Sequence, residues 1–342
     1  MLNTHDILTT IPKSWNSCTT SELEAIAATI LKNTLTSTKW TPVLLDDIRI
    51  EMFYLFTHIR TISLINPRLK VEEQYYECEL VYTSIWEKIK ENIKVKFGYE
   101  DYSHFNLYLW QISYWIENNM NWLLKDGELV TLTKFPYPIL KLGLRGKKFH
   151  GPAALMQDFS WQRFRFAQDF MDDYLKQENS LLLMQKDKNK FSDNDIIKQC
   201  SHVDLSRAQF LATIFCSKSR YLDTDTHRIC SGYIYVSNQF SDNAQYFRNF
   251  DVIMWQVIML WWTGMMNYLS QTYKHLYKKQ DLKSKAMRGF NPLNLYVCST
   301  ATMQKYLGLS EEKINNQLFH LTLQHMENMT VENEQVEKNN KK

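Results

Sequence analysis

Residues 252–269 constrain this chain most. The run is interrupted only by Gln256, Thr263, Gly264 and Asn267. As a helix it would span about 27 Å, close to the roughly 30 Å of a bilayer's hydrocarbon core. Lys274, Lys278 and Lys279 follow it as a basic flank of the kind that faces the inner side of a membrane. Two amide side chains inside the run, and no second segment like it, favour a buried core helix instead. The rest of the chain must then cover that helix, and no membrane partner is expected.

The supply of other residues fits a large core. The chain has 342 residues, 44% hydrophobic and 23% charged, enough for two domains or one large one. Only 9 Gly and 7 Pro are present, too few for the many tight turns of an all-β fold. The expected fold class is mainly α: an irregular multi-helix bundle with a short β hairpin or extended linker near 128–150. Alternation over residues 128–135 leads there into Pro136, Pro138, Gly143, Gly146, Gly151 and Pro152, the densest punctuation in the sequence.

Apolar periodicity places the helices. Thr19-x-x-Glu22 reads as a capping box before a helix bearing Leu23, Ile26, Ala27 and Ile30. Further helices are expected over residues 43–62, 71–94, 105–124, 159–177, 204–216 and 251–277. Residues 300–307 and 310–327 read as two short ones, with Ile314 and Leu318 packed inward. The segments read as an N-terminal helical domain (1–127), a linker (128–152) and a central helical domain (153–280). A C-terminal helical hairpin (281–329) and a disordered tail (330–342) follow.

Basic and acidic residues balance at 40 and 37, so the net charge of +3 does not argue for nucleic acid. Six cysteines are scattered, with no C-x-x-C pair, and the first residues lack the basic and apolar stretches of a secretory signal. Free thiols and a cytoplasmic location are expected.

Catalytic motifs are missing: no G-x-S-x-G, H-E-x-x-H, P-loop or G-x-G-x-x-G. No enzyme activity, cofactor or metal is expected. Asp223-Thr224-Asp225-Thr226-His227 and Asp193-Asn194-Asp195 have the D-x-D pattern of hard-cation ligands, but loop aspartates mostly make turns and caps. Around Phe159 to Phe166, Trp161, Arg163 and Arg165 form an aromatic and guanidinium group that, if exposed, would anchor a partner. Arg165 can also pair with Asp169 one turn on.

Nucleic acid is the alternative partner. Lys278, Lys279, Lys283, Lys285 and Arg288 concentrate positive charge. The segment 303–318 then resembles a helix-turn-helix, with Gly308 at the turn, Ser310 as cap, and Lys313 and Asn316 facing a duplex. Glu311 and Glu312 in the same first turn oppose phosphate, so a hairpin that does not touch DNA is favoured.

Several pieces in this order resemble a group of proteins encoded by prophages and mobile elements of Bacteroidetes. They are Ile11-Pro12-Lys13-Ser14-Trp15-Asn16, Leu132-Thr133-Lys134-Phe135-Pro136, Phe149-His150-Gly151-Pro152, and Leu155 through Phe159-Ser160-Trp161 into Phe166-Ala167. Phe210-Leu211-Ala212 to Cys216 and the apolar helix ending at Gly264 complete them. The group's link to tail-gene neighbourhoods implies a role in virion assembly or as a tail assembly chaperone, with a phage tail component as partner. It carries over no catalytic residue. The expected function is a non-catalytic protein-binding factor.

Overall fold

The computed structural model describes residues 8, 10–36, 42–68, 70–81, 104–123, 130–143, 146–187, 190–222, 229–236, 239–277 and 292–340. Among them it is mainly α-helical, with two small antiparallel sheets. The chain divides into two units. One comprises Met1–Leu132 with Ile253–Gly264, the other Thr133–Val252 with Met265–Lys342.

The first unit begins as expected. Thr19 N donates to Glu22 Oε2 at 2.6 Å and Glu22 N to Thr19 Oγ1 at 3.3 Å, closing the capping box ahead of α1 (Thr20–Thr36). Leu23, Ile26, Ala27 and Ile30 are buried along it. The next helix, α2 (Pro42–Thr57), is shorter than its periodicity implied. Thr57 Oγ1 turns back onto the Phe53 carbonyl at 2.7 Å, and His58 takes a left-handed φ of 53°. That reverses the chain into β1 (Ile59–Ile65).

A second departure follows. Residues 71–94 were expected to be helical, but the described part holds β2 (Tyr75–Leu80), and 82–94 lie outside the described residues. Residues 105–124 likewise open as β3 (His104–Tyr108) before turning into α3 (Leu109–Asn119). The sheet order is β1-β2-β3. Cross-strand pairing supplies what local periodicity cannot show: Leu64, Tyr76 and Leu107 align on one face, and Ile65, Tyr75 and Tyr108 on the other. Trp15, Ile26, Ile48, Phe53 and Trp261 are fully buried in this unit.

The second unit opens with the hairpin of β4 (Ile139–Leu142) and β5 (Lys147–His150), inside the segment expected to hold one. Gly143 and Gly146 both adopt positive φ at its turn, which a side chain would strain. Residues 130–135 form no strand. Two long helices come next, α4 (Trp161–Lys186) and α5 (Asp193–Ile214). Phe164, Ala167, Met171 and Tyr174 are the buried stripe of α4. Strands β6 (Cys216–Leu222) and β7 (Ile229–Tyr233) extend the hairpin into a sheet of order β4-β5-β6-β7. These strands have no apolar alternation; Ser217 and Ser219 fill the buried face of β6.

Helices α6 (Phe240–Tyr246), α7 (Val252–Thr272), α8 (Pro292–Leu307), α9 (Glu311–Asn316) and α10 (Phe319–Asn340) complete the chain. No helix among the described residues is long and apolar enough to cross a membrane. Two expectations for the C-terminal region are corrected. The single helix over 310–327 is broken at Gln317, whose backbone is extended, so Leu318 faces outward and Phe319 is buried in its place. The tail is helical, not disordered, through Asn340, because its Glu, Gln and Lys side chains continue α10 with good helix propensity.

Candidate functional site

The start of α4 is where most sequence candidates meet structure. Ser160 caps the helix, its Oγ accepting from Arg163 N at 3.2 Å. On either side the chain is stitched to the α9–α10 junction. Trp161 N donates to the Gln317 carbonyl at 2.7 Å, and Phe319 N to the Phe159 carbonyl at 3.0 Å. Leu155 and Met156 precede the cap with consecutive left-handed φ values of 53° and 56°. His320 holds this turn: its Nε2 lies 2.7 Å from the Leu155 carbonyl. A carbonyl can only accept, so Nε2 carries a proton, and Tyr273 Oη lies 3.0 Å from Nδ1 and donates to the His320 carbonyl at 3.2 Å.

Trp161, Arg163 and Arg165 are not offered to a partner. Their exposures are 2%, 2% and 8%. Trp161 Nε1 donates to Thr300 Oγ1 at 3.4 Å. Arg165 donates to Gln168 Oε1 at 2.6 Å and lies 3.8 Å from Asp169, the expected pair, with its guanidinium over the Trp161 ring. Burial pushes the Asp169 carboxyl up and the nearby Arg165 charge pulls it down, with burial dominant. Arg163 is the most committed. Its Nε and Nη2 donate to the Thr213 and Ile214 carbonyls at 2.9 and 2.7 Å, and Nη1 pairs with Asp158 at 3.0 Å. These are the open carbonyls at the end of α5. The Phe159 ring covers the guanidinium at 3.8 Å.

Arg163 and Asn316, proposed from sequence for two different partners, line one cavity of about 420 Å³ together with Asp158, Gln162, Tyr233 and Tyr235. Gln162 and Asn316 also border a second cavity of about 410 Å³, whose remaining wall is Glu311, Glu312 and Asn315. Lys313 is exposed on the same short helix. Burial pushes the Tyr235 hydroxyl up to about 12, with Arg163 opposing, and raises the Cys216 thiol, so neither ionises at neutral pH. His150 stacks on Tyr233 with ring centroids 3.5 Å apart. Burial first, then Lys148, lowers its pKa. The cavity's side chains can accept and donate hydrogen bonds.

The other candidates separate. Lys278, Lys279, Lys283, Lys285 and Arg288 lie outside the described residues, as do residues 223–227 with their D-x-D. Asp193 and Asp195 sit in the first turn of α5, and Asp195 forms a capping box with Ser192, its Oδ2 taking the Ser192 hydroxyl at 2.7 Å. Those bonds hold its carboxyl below the usual range. No group of three metal-ligating side chains occurs among the described residues.

A further surface lies on the first unit. Tyr75 and Tyr108 pair across β2 and β3 with ring centroids 5.7 Å apart, and Trp110 stacks on Tyr108 at 6.4 Å. Trp110 is 51% exposed and Tyr114, one turn along α3, 60%. Sequence reasoning missed this group, although a signal was present. Positions 110 and 114 fall opposite the stripe of Ile112, Trp115 and Ile116 on one helical turn.

Comparison with known protein families, characterised proteins and solved structures finds no match for this chain.

Proposed function

We propose that the chain is a non-catalytic protein-binding factor that engages its partner through the exposed aromatic face of Tyr108, Trp110 and Tyr114, with the half-buried Tyr75 behind it. Contiguous exposed aromatics are what supports this reading. Tyr and Trp give large, stiff contact area at low entropy cost and are enriched at the energetic centres of interfaces. The resemblance to mobile-element proteins narrows the partner to a phage tail component and the role to virion assembly or chaperoning.

DNA binding through residues 300–327 and the basic stretch 274–288 is the second reading. Gly308 turns with φ 65° and Ser310 caps α9, as a helix-turn-helix requires. Against it, α9 is six residues long and begins Glu311-Glu312. Both readings meet one test: affinity capture of the tagged chain from its native cells, with and without nuclease, beside Trp110→Ala/Tyr114→Ala. A nuclease-resistant phage structural protein, lost in the double variant, is expected. Nucleic acid recovered in place of protein would overturn the protein-binding reading.

A further inference from the structure

The four-stranded sheet ends differently on its two sides. At one edge, β4 follows Pro138 and carries Lys141, both of which discourage added strands. At the other, β7 reads Ile229-Cys230-Ser231-Gly232-Tyr233, with no proline or charge. Its partner is β6 alone among the described residues. In an antiparallel ladder every second residue of such a strand directs its N–H and C=O away from the neighbour, so β7 presents a row of open backbone groups. Ile229 is exposed at its start. Beyond Tyr233, residues 234–236 leave the ladder and line the 420 Å³ cavity.

An edge strand that runs into a cavity is the arrangement by which extended peptides are held: backbone bonds fix the segment and the cavity selects a side chain. Charge tells which side chain. The only cation lining the first cavity, Arg163, is consumed by two carbonyls and Asp158. Past Gln162 and Asn316, Glu311 and Glu312 border the adjoining cavity, and neither has an ion-pair partner among the described residues. The side chains of β7 are uncharged, and Lys218 and Arg220 lie one strand further in, on β6. Lys218 stands across from Tyr233 on the side of β7 away from its free edge, and the linings of the two cavities hold no cation but Arg163, whereas a lysine or arginine reaching past Gln162 and Asn316 would find two carboxylates there.

We infer that the free edge of β7 and the adjoining cavities form a strand-addition site for an extended peptide of a partner protein carrying a basic side chain. This site is separate from the aromatic face of the first unit and does not depend on it.

The test uses the full chain and a short fluorescent peptide of alternating valine and threonine ending in lysine, with a matched peptide ending in glutamate. Expected are saturable binding of the lysine peptide and new hydrogen-exchange protection at residues 229–236. Glu311→Lys/Glu312→Lys should weaken it by roughly fivefold. Glu311→Gln/Glu312→Gln should do so more gently, and it covers the case in which charge reversal unsettles α9. Trp110→Ala/Tyr114→Ala should bind the peptide normally, so failure of the aromatic-face reading leaves this result standing. Equal affinity for both peptides, protection elsewhere in the chain, or no binding at millimolar peptide would overturn the inference.

Discussion

Arg163 donates through Nε to the Thr213 carbonyl at 2.9 Å, so a residue in the first turn of α4 closes the last turn of α5. With Nη2 on Ile214 and Nη1 on the exposed Asp158, one buried guanidinium satisfies two helix-end carbonyls and a carboxylate. Arg163→Ala leaves all three without their partner and is expected to cost about 3 kcal/mol. Arg163→Lys keeps the charge but cannot reach three acceptors in a plane, and should recover less than half of the loss. Urea unfolding midpoints of the three proteins check this.

Gly264 gives the opposite of the usual helix rule. Gly→Ala inside a helix ordinarily stabilises by about 1 kcal/mol. Here a Cβ would stand 2.3 Å from the Leu132 carbonyl oxygen and 2.7 Å from its amide nitrogen, and backbone cannot rotate away as a side chain can. Gly264→Ala should destabilise by about 2–4 kcal/mol, read as a lower Tm in calorimetry. A neutral result would mean that the α7 backbone does not approach Leu132 this closely.

Thiol chemistry should divide the cysteines. Burial pushes Cys18 up to about 12 and Cys78 to about 11, and Cys216 is also raised and buried. Cys200 and Cys230 are only partly covered. Brief iodoacetamide treatment of the native chain at mild alkaline pH, followed by peptide mapping, should label Cys200 and Cys230 well before Cys18, Cys78 and Cys216. Equal labelling of Cys18 would contradict its burial.

His150 should make stability depend on pH in one direction. Its folded pKa lies below the ordinary 6.5, through burial and then Lys148. In the window between the folded value and 6.5 the unfolded chain binds more protons, so this residue's contribution rises with pH and is lost as pH falls through that window. An NMR titration should place the His150 midpoint under 6.5, and His150→Phe should flatten that part of the stability profile. A midpoint above 6.5 would reverse the sign.

Local signals carried part of this fold. The Thr19–Glu22 box, the stripe of α4 and the turn at Gly308 and Ser310 are set by neighbours in sequence and were legible there. Strands β2 and β3 were not, because Tyr75 and Cys78 also fit a helical spacing. Only their pairing with Ile65 and Phe105 decides the matter. Strand β6 escaped notice because small serines fill its buried face. At the candidate site, Arg163 looked like a surface anchor because arginine is mostly exposed; its burial depends on carbonyls 50 residues away. The cavity between Gln162 and Asn316 joins segments far apart in the chain, and no local pattern announces that.

The apolar segment at 253–264 belongs to the same unit as residues 1–132, although roughly 120 residues separate them. On a ribosome adding about 5–20 residues per second, the N-terminal segment waits on the order of ten seconds for the helix that completes its core. Leu132 emerges long before Gly264 can lie against it. During that interval the first unit lacks one of its apolar segments, so ribosome-associated chaperones should have their longest residence on this chain before residues 253–264 leave the exit tunnel. For the same reason, no single cut in the gene yields the first unit as an intact fragment.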